Sequence, residues 1–459
     1  MPPSTRPCCR LLLAGLLGCT GDSRGGPVGP VDSAAPGPRT GWQTLSSSAG
    51  WVSTDRGVAT GAGVGDLDGD GFDELVVAYG NDVEPGPLVV YDNEDGRLLP
   101  TPVWRSDAVG HHGHVSVGDV DGDGDPDVVV SRYLGLDGWG DPGGVDLYRN
   151  EDGRLGAVPD WTRDGLSTFA CALGDLDRDG DLDLVVAAGE AYQGQPEQSV
   201  VLENPGDGRF EAVPLWTSPP GYALDATFAD LDGDGWLDLA LARVGSPHLV
   251  FRGDGHGELE TGPVWASPGE GHEGNTVDFG DVDGDGTLDL VISDNDQQGG
   301  RGTVRLYCGP ALEPCWESPG PEMWSAVSLE DVDGDGRPDL VAGTWWGPVQ
   351  AWTTGTAEDG PLGEEVAWQT RRDDLVLEAL AWSDLDRSHT VWDRVEGVGL
   401  LTVPRGASTR SVHGGVAGDG YLSGRGRVSA EVLQPAPRDL LLTDWTGTAS
   451  NLAFLRGDG

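Results

Sequence analysis

A short acidic string, Asp66-Leu67-Asp68-Gly69-Asp70-Gly71, returns along this chain with small changes. Its first aspartate falls at Asp66, Asp119, Asp175, Asp230, Asp281 and Asp331, and in a weaker copy at Asp384. In each full copy, acids stand at loop positions 1, 3, 5 and 9. Alternate side chains of a tight loop can converge on one point. Glycine at position 6 permits the sharp turn, and the carbonyl at position 7 can add a ligand. That many hard oxygen ligands suit Ca2+, whereas Mg2+ keeps its waters and demands stricter octahedral geometry. With no cation, carboxylates gathered so closely would repel strongly.

Other groups could do chemistry too. Cys308 and Cys315 flank a short loop, where an exported location would permit a disulfide. Cys171 stands four residues before Asp175, where other copies have Ala62, Val115, Ala226, Val277 and Val327, so it reads as a small buried apolar residue. His111, His112 and His114 could bind Zn2+, but adjacent histidines in a glycine-rich loop are expected to be solvated. Arg252-Gly253-Asp254 and Arg456-Gly457-Asp458 spell a tripeptide that integrins bind. Both occupy the same turn of the repeat, where Gly-Asp is favoured for backbone reasons. No nucleophile elbow, zincin helix or Cys/His pair is visible.

The elements that must position these groups repeat with them. A tryptophan precedes each loop by roughly 14 to 16 residues: Trp51, Trp104, Trp161, Trp216, Trp265, Trp316 and Trp368. An alternating strand leads into each loop, as in Val115-Ser116-Val117-Gly118. A β-branched or leucine-rich run follows it, as in Leu184-Val185-Val186-Ala187. A third strand runs into an Asn/Asp-Gly turn, and the fourth carries the Trp. Period-two alternation and Gly/Asp turns mark strands rather than helices. Four short strands in about 50 residues make one blade of an all-β propeller, which hides its edges by closing a ring. Glu431 to Asp439 aligns with Asp331 to Asp339, which gives eight blades by repeat count, with seven as the alternative. The last blade then lacks a fourth strand, and the N-terminal stretch from Trp42 to Trp51 supplies one that closes the ring.

The motif Asp-x-Asp-Gly-Asp-Gly-x-x-Asp-Leu at this period resembles the FG-GAP/VCBS repeat of integrin α-subunit propellers and related bacterial surface proteins. The resemblance covers roughly residues 42–459. It implies six structural Ca2+ ions. The first would be held by Asp66, Asp68, Asp70 and Glu74; the second by Asp119, Asp121, Asp123 and Asp127; the third by Asp175, Asp177, Asp179 and Asp183. The remaining three would sit on Asp230, Asp232, Asp234 and Asp238, on Asp281, Asp283, Asp285 and Asp289, and on Asp331, Asp333, Asp335 and Asp339. The first site departs from the pattern by its Glu. The seventh loop keeps Asp384 and Asp386 but has Ser388 and Trp392, so weak or no binding is expected there. The eighth, with Leu433 and Pro435, should be empty.

Acidic residues number 77 against 28 basic ones, giving a formal charge of −49, and every basic residue is Arg. Nucleic-acid binding through a basic footprint is excluded, as is any reaction that needs a lysine. Residues 1–18 read as an export signal: Arg6 and Arg10 precede the apolar run Leu11 to Leu17. Leu16-Leu17-Gly18-Cys19 resembles a bacterial lipobox, which implies lipidation at Cys19. Residues 19–40 read as a flexible Gly/Pro/Ser tether and 41–459 as the propeller. The expected location is the cell envelope, at the outer membrane or cell surface, with membrane contact through the lipid alone.

In four-stranded blades the calcium loops share one face with the Gly-Asp turns. The opposite face collects the longer loops, with Tyr79, Tyr133, Trp139, Tyr192, Trp345, Trp346 and the His cluster. Tyr133, Trp139, Trp345 and Trp346 are the candidate ligand face, because aromatics among polar groups can contact a sugar or a protein. The expected function is a surface module that binds a glycan or protein. The alternative is a calcium-dependent polysaccharide lyase or hydrolase, with His111, His112, His114 or His272 as a base.

Overall fold

A computed structural model describes residues 51–383, apart from 56, 83, 298–299, 333–335, 356–359 and 372–374, together with residue 385. Of 375, 439–443 and 452–455 it describes the backbone alone. Cys19, the tether, Trp42, Asp384, Asp386, Ser388, Trp392, Leu433, Pro435 and Arg456 lie outside the described residues. Gly41–Gly459 is one compact unit. Among the described residues every regular element is a strand, and every pairing is antiparallel.

The strands group into four-stranded blades. Blade 1 is Ala59–Gly65, Glu74–Gly80, Pro85–Tyr91 and the start of Trp104–Gly118. That last strand is 15 residues long, and its second half opens blade 2, ahead of Asp127–Leu134, Pro142–Tyr148 and Trp161–Asp164. Blades 3, 4, 5 and 6 begin at Ala170–Gly174, Ala223–Ala229, Gly274–Gly280 and Trp324–Glu330. Blade 7 is discontinuous: Leu380–Ser383 pairs with Asp439–Thr443, then Leu452–Leu455, then Trp51–Val52. The N-terminal strand therefore closes the ring, as the repeat implied.

The described blades number seven, the smaller count that the repeat allowed. The stretch that aligns as an eighth unit supplies the second and third strands of blade 7, whose first strand is Leu380–Ser383. The apolar core gives the same count. Seven buried clusters each fill one gap between neighbouring blades, including Ala59, Val77 and Tyr91 of blade 1 against Ala379, Ala381 and Leu385 beside blade 7.

The recurrent tryptophan is a blade-to-blade latch. From the fourth strand of one blade it packs edge-on against an aromatic residue of the next. The pairs are Trp51 on Tyr91, Trp104 on Tyr148, Trp216 on Phe251, Trp265 on Tyr307 and Trp316 on Trp352, with ring centroids 4.7–5.8 Å apart. In Trp104, Trp216, Trp265 and Trp316 the indole N–H also donates to a carbonyl of that next blade, as Trp216 Nε1 does to Glu260 O at 3.1 Å and Trp265 Nε1 to Leu312 O at 3.1 Å. Trp216→Phe keeps the ring but leaves the carbonyl without its donor. A loss of about 1 kcal/mol is expected, measured by denaturant unfolding. An unchanged midpoint would remove the N–H from the latch.

Candidate metal centres and the opposite face

Each acidic loop joins the first strand of a blade to the second. The chain turns there through residues at positive φ, Gly69 and Gly71 (75° and 94°) in the first loop and Gly122 and Gly124 (73° and 100°) in the second. Arg178 takes the same conformation without being glycine. Position-3 and position-5 carboxylates accept from backbone N–H groups two residues on. Examples are Asp68 from Asp70 at 3.1 Å and Asp70 from Phe72 at 2.8 Å. The carboxylate oxygens of Asp66, Asp68 and Asp70, and likewise those of Asp119, Asp121 and Asp127, come within 4.8 Å of one another.

Position 9 does more than the spacing suggested. It opens the second strand and is buried in every loop: Glu74, Asp127, Asp183, Asp238, Asp289 and Asp339. One oxygen accepts the N–H of position 2, from Val120 to Asp127 at 2.9 Å and from Leu176 to Asp183 at 3.1 Å. In five loops the other oxygen accepts an N–H from the turn after the third strand. Those donors are Asn150, Asn204, Gly253, Gly309 and Thr354, at 2.7–2.9 Å. The acid is thus a clamp as well as a candidate ligand. In the turns of blades 2 and 3 the side chain of the donor's own residue reaches the preceding blade: Asn150 Nδ2 donates to Leu67 O and Asn204 Nδ2 to Val120 O, each at 2.6 Å.

Charge at this face is only partly compensated, by Arg149 on Asp121 and Arg252 on Asp232. Burial, with neighbouring carboxylates adding to it, pushes Glu74 up to about 8, Asp127 and Asp183 to about 7, and Asp238 and Asp289 to about 6. Asp119, Asp175, Asp230 and Asp281 are raised for the same first reason. Buried oxygens without a hydrogen-bond partner among the described residues are Glu74 Oε1, Asp121 Oδ1, Asp175 Oδ1, Asp230 Oδ1 and Asp281 Oδ1. An orphaned carboxylate oxygen in each of five loops, among other hard oxygens, fits a Ca2+ ion there. In the sixth loop Asp331 and Asp339 keep the same backbone bonds, while Asp333 and Asp335 lie outside the described residues.

The other sequence candidates find bland roles. Cys308 and Cys315 are joined by a disulfide. Cys171 is fully buried, and burial pushes its thiol up to about 12. Arg252 of the Arg-Gly-Asp turn pairs with Asp232 at 2.9 Å, back against its own blade's acidic loop.

On the opposite face the histidines are not solvated. His111, His112 and His114 lie on the long strand shared by blades 1 and 2 and are buried. His112 Nδ1 donates to Tyr79 O at 2.9 Å, and burial pulls this imidazole down to about 4. The ring nitrogens of His111 and His112 serve the backbone carbonyls of Asn81 and Tyr79, and His114 Nδ1 faces the buried Asp225 carboxylate of blade 4 at 3.9 Å, roles invisible in the spacing. Tyr133 is buried too. Its hydroxyl donates to Glu190 at 3.2 Å, and Trp139 packs edge-on over it. Trp139 in turn meets Tyr192, whose hydroxyl bonds Gln297 from the blade 5 loop. Trp139, Tyr192 and Trp346 stay exposed, at 40%, 47% and 59%. Trp345 is half-buried beside Trp346 and Glu378. Sequence reasoning missed the acids behind these rings. Burial pushes Glu378 up to about 8 against the pull of the Trp345 indole, and raises Asp82 against the pull of His111. Both acids sit on the same loop layer as Glu190.

His272, a candidate base in the sequence, lies in a buried set that the spacing did not show, with His248 and Asp294 at the junction of blades 4 and 5. His248 Nδ1 accepts the Arg243 N–H at 3.0 Å, which puts the imidazole proton on Nε2, facing Asp294 at 3.2 Å. A protonated Nε2 has no lone pair for a metal. With Arg305 on the other Asp294 oxygen at 3.1 Å, the group is a polar brace between blades.

With this geometry in hand, comparison with known proteins assigns the repeat. The family described as FG-GAP-like repeat matches residues 42–130 and 188–241, and that described as FG-GAP repeat matches 323–355. The chain carries FG-GAP repeats. The FG-GAP propeller shares its fold with the solved structure of BBS1N in complex with ARL6DN, at a TM-score of 0.51 and 12% identity, covering 92% of this chain and 98% of that one. It also shares it with Sqt1 of Saccharomyces cerevisiae, at 0.50 and 9%, covering 91% and 100%. Among curated proteins it is 27% identical to rhamnogalacturonan endolyase YesW of Bacillus subtilis (strain 168) over 369 residues, 63% of this chain. It spans 56% of that relative's length.

Proposed function

We propose that this FG-GAP propeller is an exported, calcium-stabilised module that binds a glycan on the face opposite its calcium loops. The observation that carries the reading is the pairing on that face of exposed rings with acids withdrawn from solvent: Trp139, Tyr192 and Trp346 beside the buried Glu190 and Glu378 and the half-buried Asp82. Sugar C–H faces stack on aromatic rings, and carboxyl groups accept from sugar hydroxyls. The negative charge of the chain favours a neutral ligand over an anionic one. Lipidation at Cys19 would tether the module to the cell envelope; mass spectrometry of membrane fractions should show acylated Cys19, and an unmodified start elsewhere would reject the tether.

A glycan array on residues 41–459 tests the binding. Trp139→Ala and Trp346→Ala together should weaken the best ligand at least about 10-fold, since each buried ring contact contributes about 1 kcal/mol or more. Undiminished binding by the folded double variant would remove the aromatic face from the reading.

A second reading is polysaccharide cleavage. It is favoured by the likeness to a rhamnogalacturonan endolyase and by Glu378, a buried acid raised to about 8 beside the aromatic rim. Incubation with rhamnogalacturonan, followed by ultraviolet absorbance of an unsaturated product, decides between binding and cleavage.

A further inference from the structure

We infer that blade 1 holds a second divalent cation, on Asp68, Glu74 and Asp92, beside the ion of its own loop. The inference rests on the calcium reading of that loop and adds a site to it. The argument begins with register. The residue after each loop's position 9 pairs across the sheet with a third-strand residue: Leu75 with Tyr91, Val128 with Tyr148, Leu239 with Phe251. The next residue along the third strand then faces the loop. In blades 2 and 4 it is an arginine, and its guanidinium pairs with the position-3 aspartate: Arg149 with Asp121 at 3.3 Å and Arg252 with Asp232 at 2.9 Å. In blade 1 the same place holds Asp92, so a carboxylate stands where blades 2 and 4 put a cation.

The second observation is Glu74. In the other five loops both oxygens of the position-9 aspartate take backbone N–H groups. Glu74 Oε2 takes those of Leu67 at 2.7 Å and Asp68 at 3.3 Å, while its Oε1 is buried without a partner. The side chain is 97% buried, being 3% exposed. The turn N–H that would have met it, from Asn93, acts on the Asp92 carboxylate instead. Oxygens of Asp68, Glu74 and Asp92 come within 4.8 Å of one another. Blade 3 also has an acid at this place, Glu203, but there both Asp183 oxygens are already bonded. Blade 1 therefore combines a third carboxylate with a buried oxygen, Glu74 Oε1, that the loop ion and the second ion would share.

These three residues line a cavity of about 380 Å³ between blades 1 and 2, walled by Val90, Trp104 and Arg154. The cavity leaves room for the water ligands that three carboxylates cannot replace around a hard divalent ion. The ion would supply the positive charge that Arg149 and Arg252 supply in their blades.

The test counts ions on the full chain, stripped with chelator and titrated with Ca2+ by calorimetry. It compares wild type, Asp92→Asn and Asp92→Arg, the last copying blades 2 and 4. Circular dichroism confirms the fold of each. Both variants should bind one equivalent fewer than wild type. Terbium emission excited through tryptophan should also fall in both, because Trp104 walls the site. If either folded variant binds as many ions as wild type, with terbium emission unchanged, the second site is overturned while the loop ions stand. If wild type binds none, the calcium reading itself falls, and the second site with it.

Discussion

Removing calcium at about pH 8 is expected to lower the melting temperature by about 10 °C. An ion that binds the folded form alone stabilises it by RT ln(1 + [L]/Kd). With a Kd of about 10⁻⁴ M, as in the tighter extracellular modules, millimolar Ca2+ contributes about 1.4 kcal/mol per site, or about 8 kcal/mol over six. Unfolding entropy of about 2 cal/mol/K per residue over about 400 residues converts that sum into about 10 °C. The pH dependence gives a second, independent signature. In the metal-free fold Glu74, Asp127, Asp183, Asp238 and Asp289 hold their protons to between about 6 and 8, as does Glu378. The unfolded chain releases the same protons near pH 4. Between those limits the folded state binds more protons than the unfolded one, so its stability falls as pH rises. In EDTA the melting temperature should therefore drop from about pH 5 to about pH 8. Saturating Ca2+ should flatten most of that slope, because it binds the ionised carboxylates; Glu378 lies away from the loops and keeps its share. A metal-free melting temperature that rises over this range would contradict the burial of the position-9 carboxyls.

Asp127→Ala should cost about 4 kcal/mol even in EDTA, while Asp123→Ala should matter only when Ca2+ is present. The two aspartates belong to one loop but hold different things. Asp127 is fully buried and accepts from Val120 N–H at 2.9 Å and Asn150 N–H at 2.7 Å. Its loss strands two backbone donors inside the blade, each worth about 1–3 kcal/mol. Asp123 is exposed and accepts one local N–H, from Asp125 at 2.9 Å. Denaturant unfolding of both variants, with and without Ca2+, separates the roles. Equal losses in EDTA would mean that position 9 is no clamp.

Much of this fold was legible because a propeller repeats its chemistry as well as its shape. The strand pattern, the Gly turns and the Trp spacing recur in each unit, so every copy reinforced the others. The closing strand at Trp51 was legible too, since an orphan fourth strand and a blade lacking one can only be joined by a ring. The buried histidines were not legible. Their spacing is that of a loop, and their burial follows from the strand Trp104–Gly118 running unbroken from one blade into the next. Nor were Glu378, Asp82 or the His248–Asp294 brace. Each rests on residues outside the repeat motif, brought to their neighbours by contacts between blades.

The sequence by itself determined an all-β repeat, six acidic loops and the residues that line them, because local turn geometry and alternation are written within each unit of about 50 residues. The tertiary structure decided the ring. Spacing alone does not distinguish a further blade from a long insertion within one. The pairing of Leu380–Ser383 with Asp439–Thr443 and the seven filled gaps between blades do, because a strand's partner and a core's closure are set by contacts between distant parts of the chain.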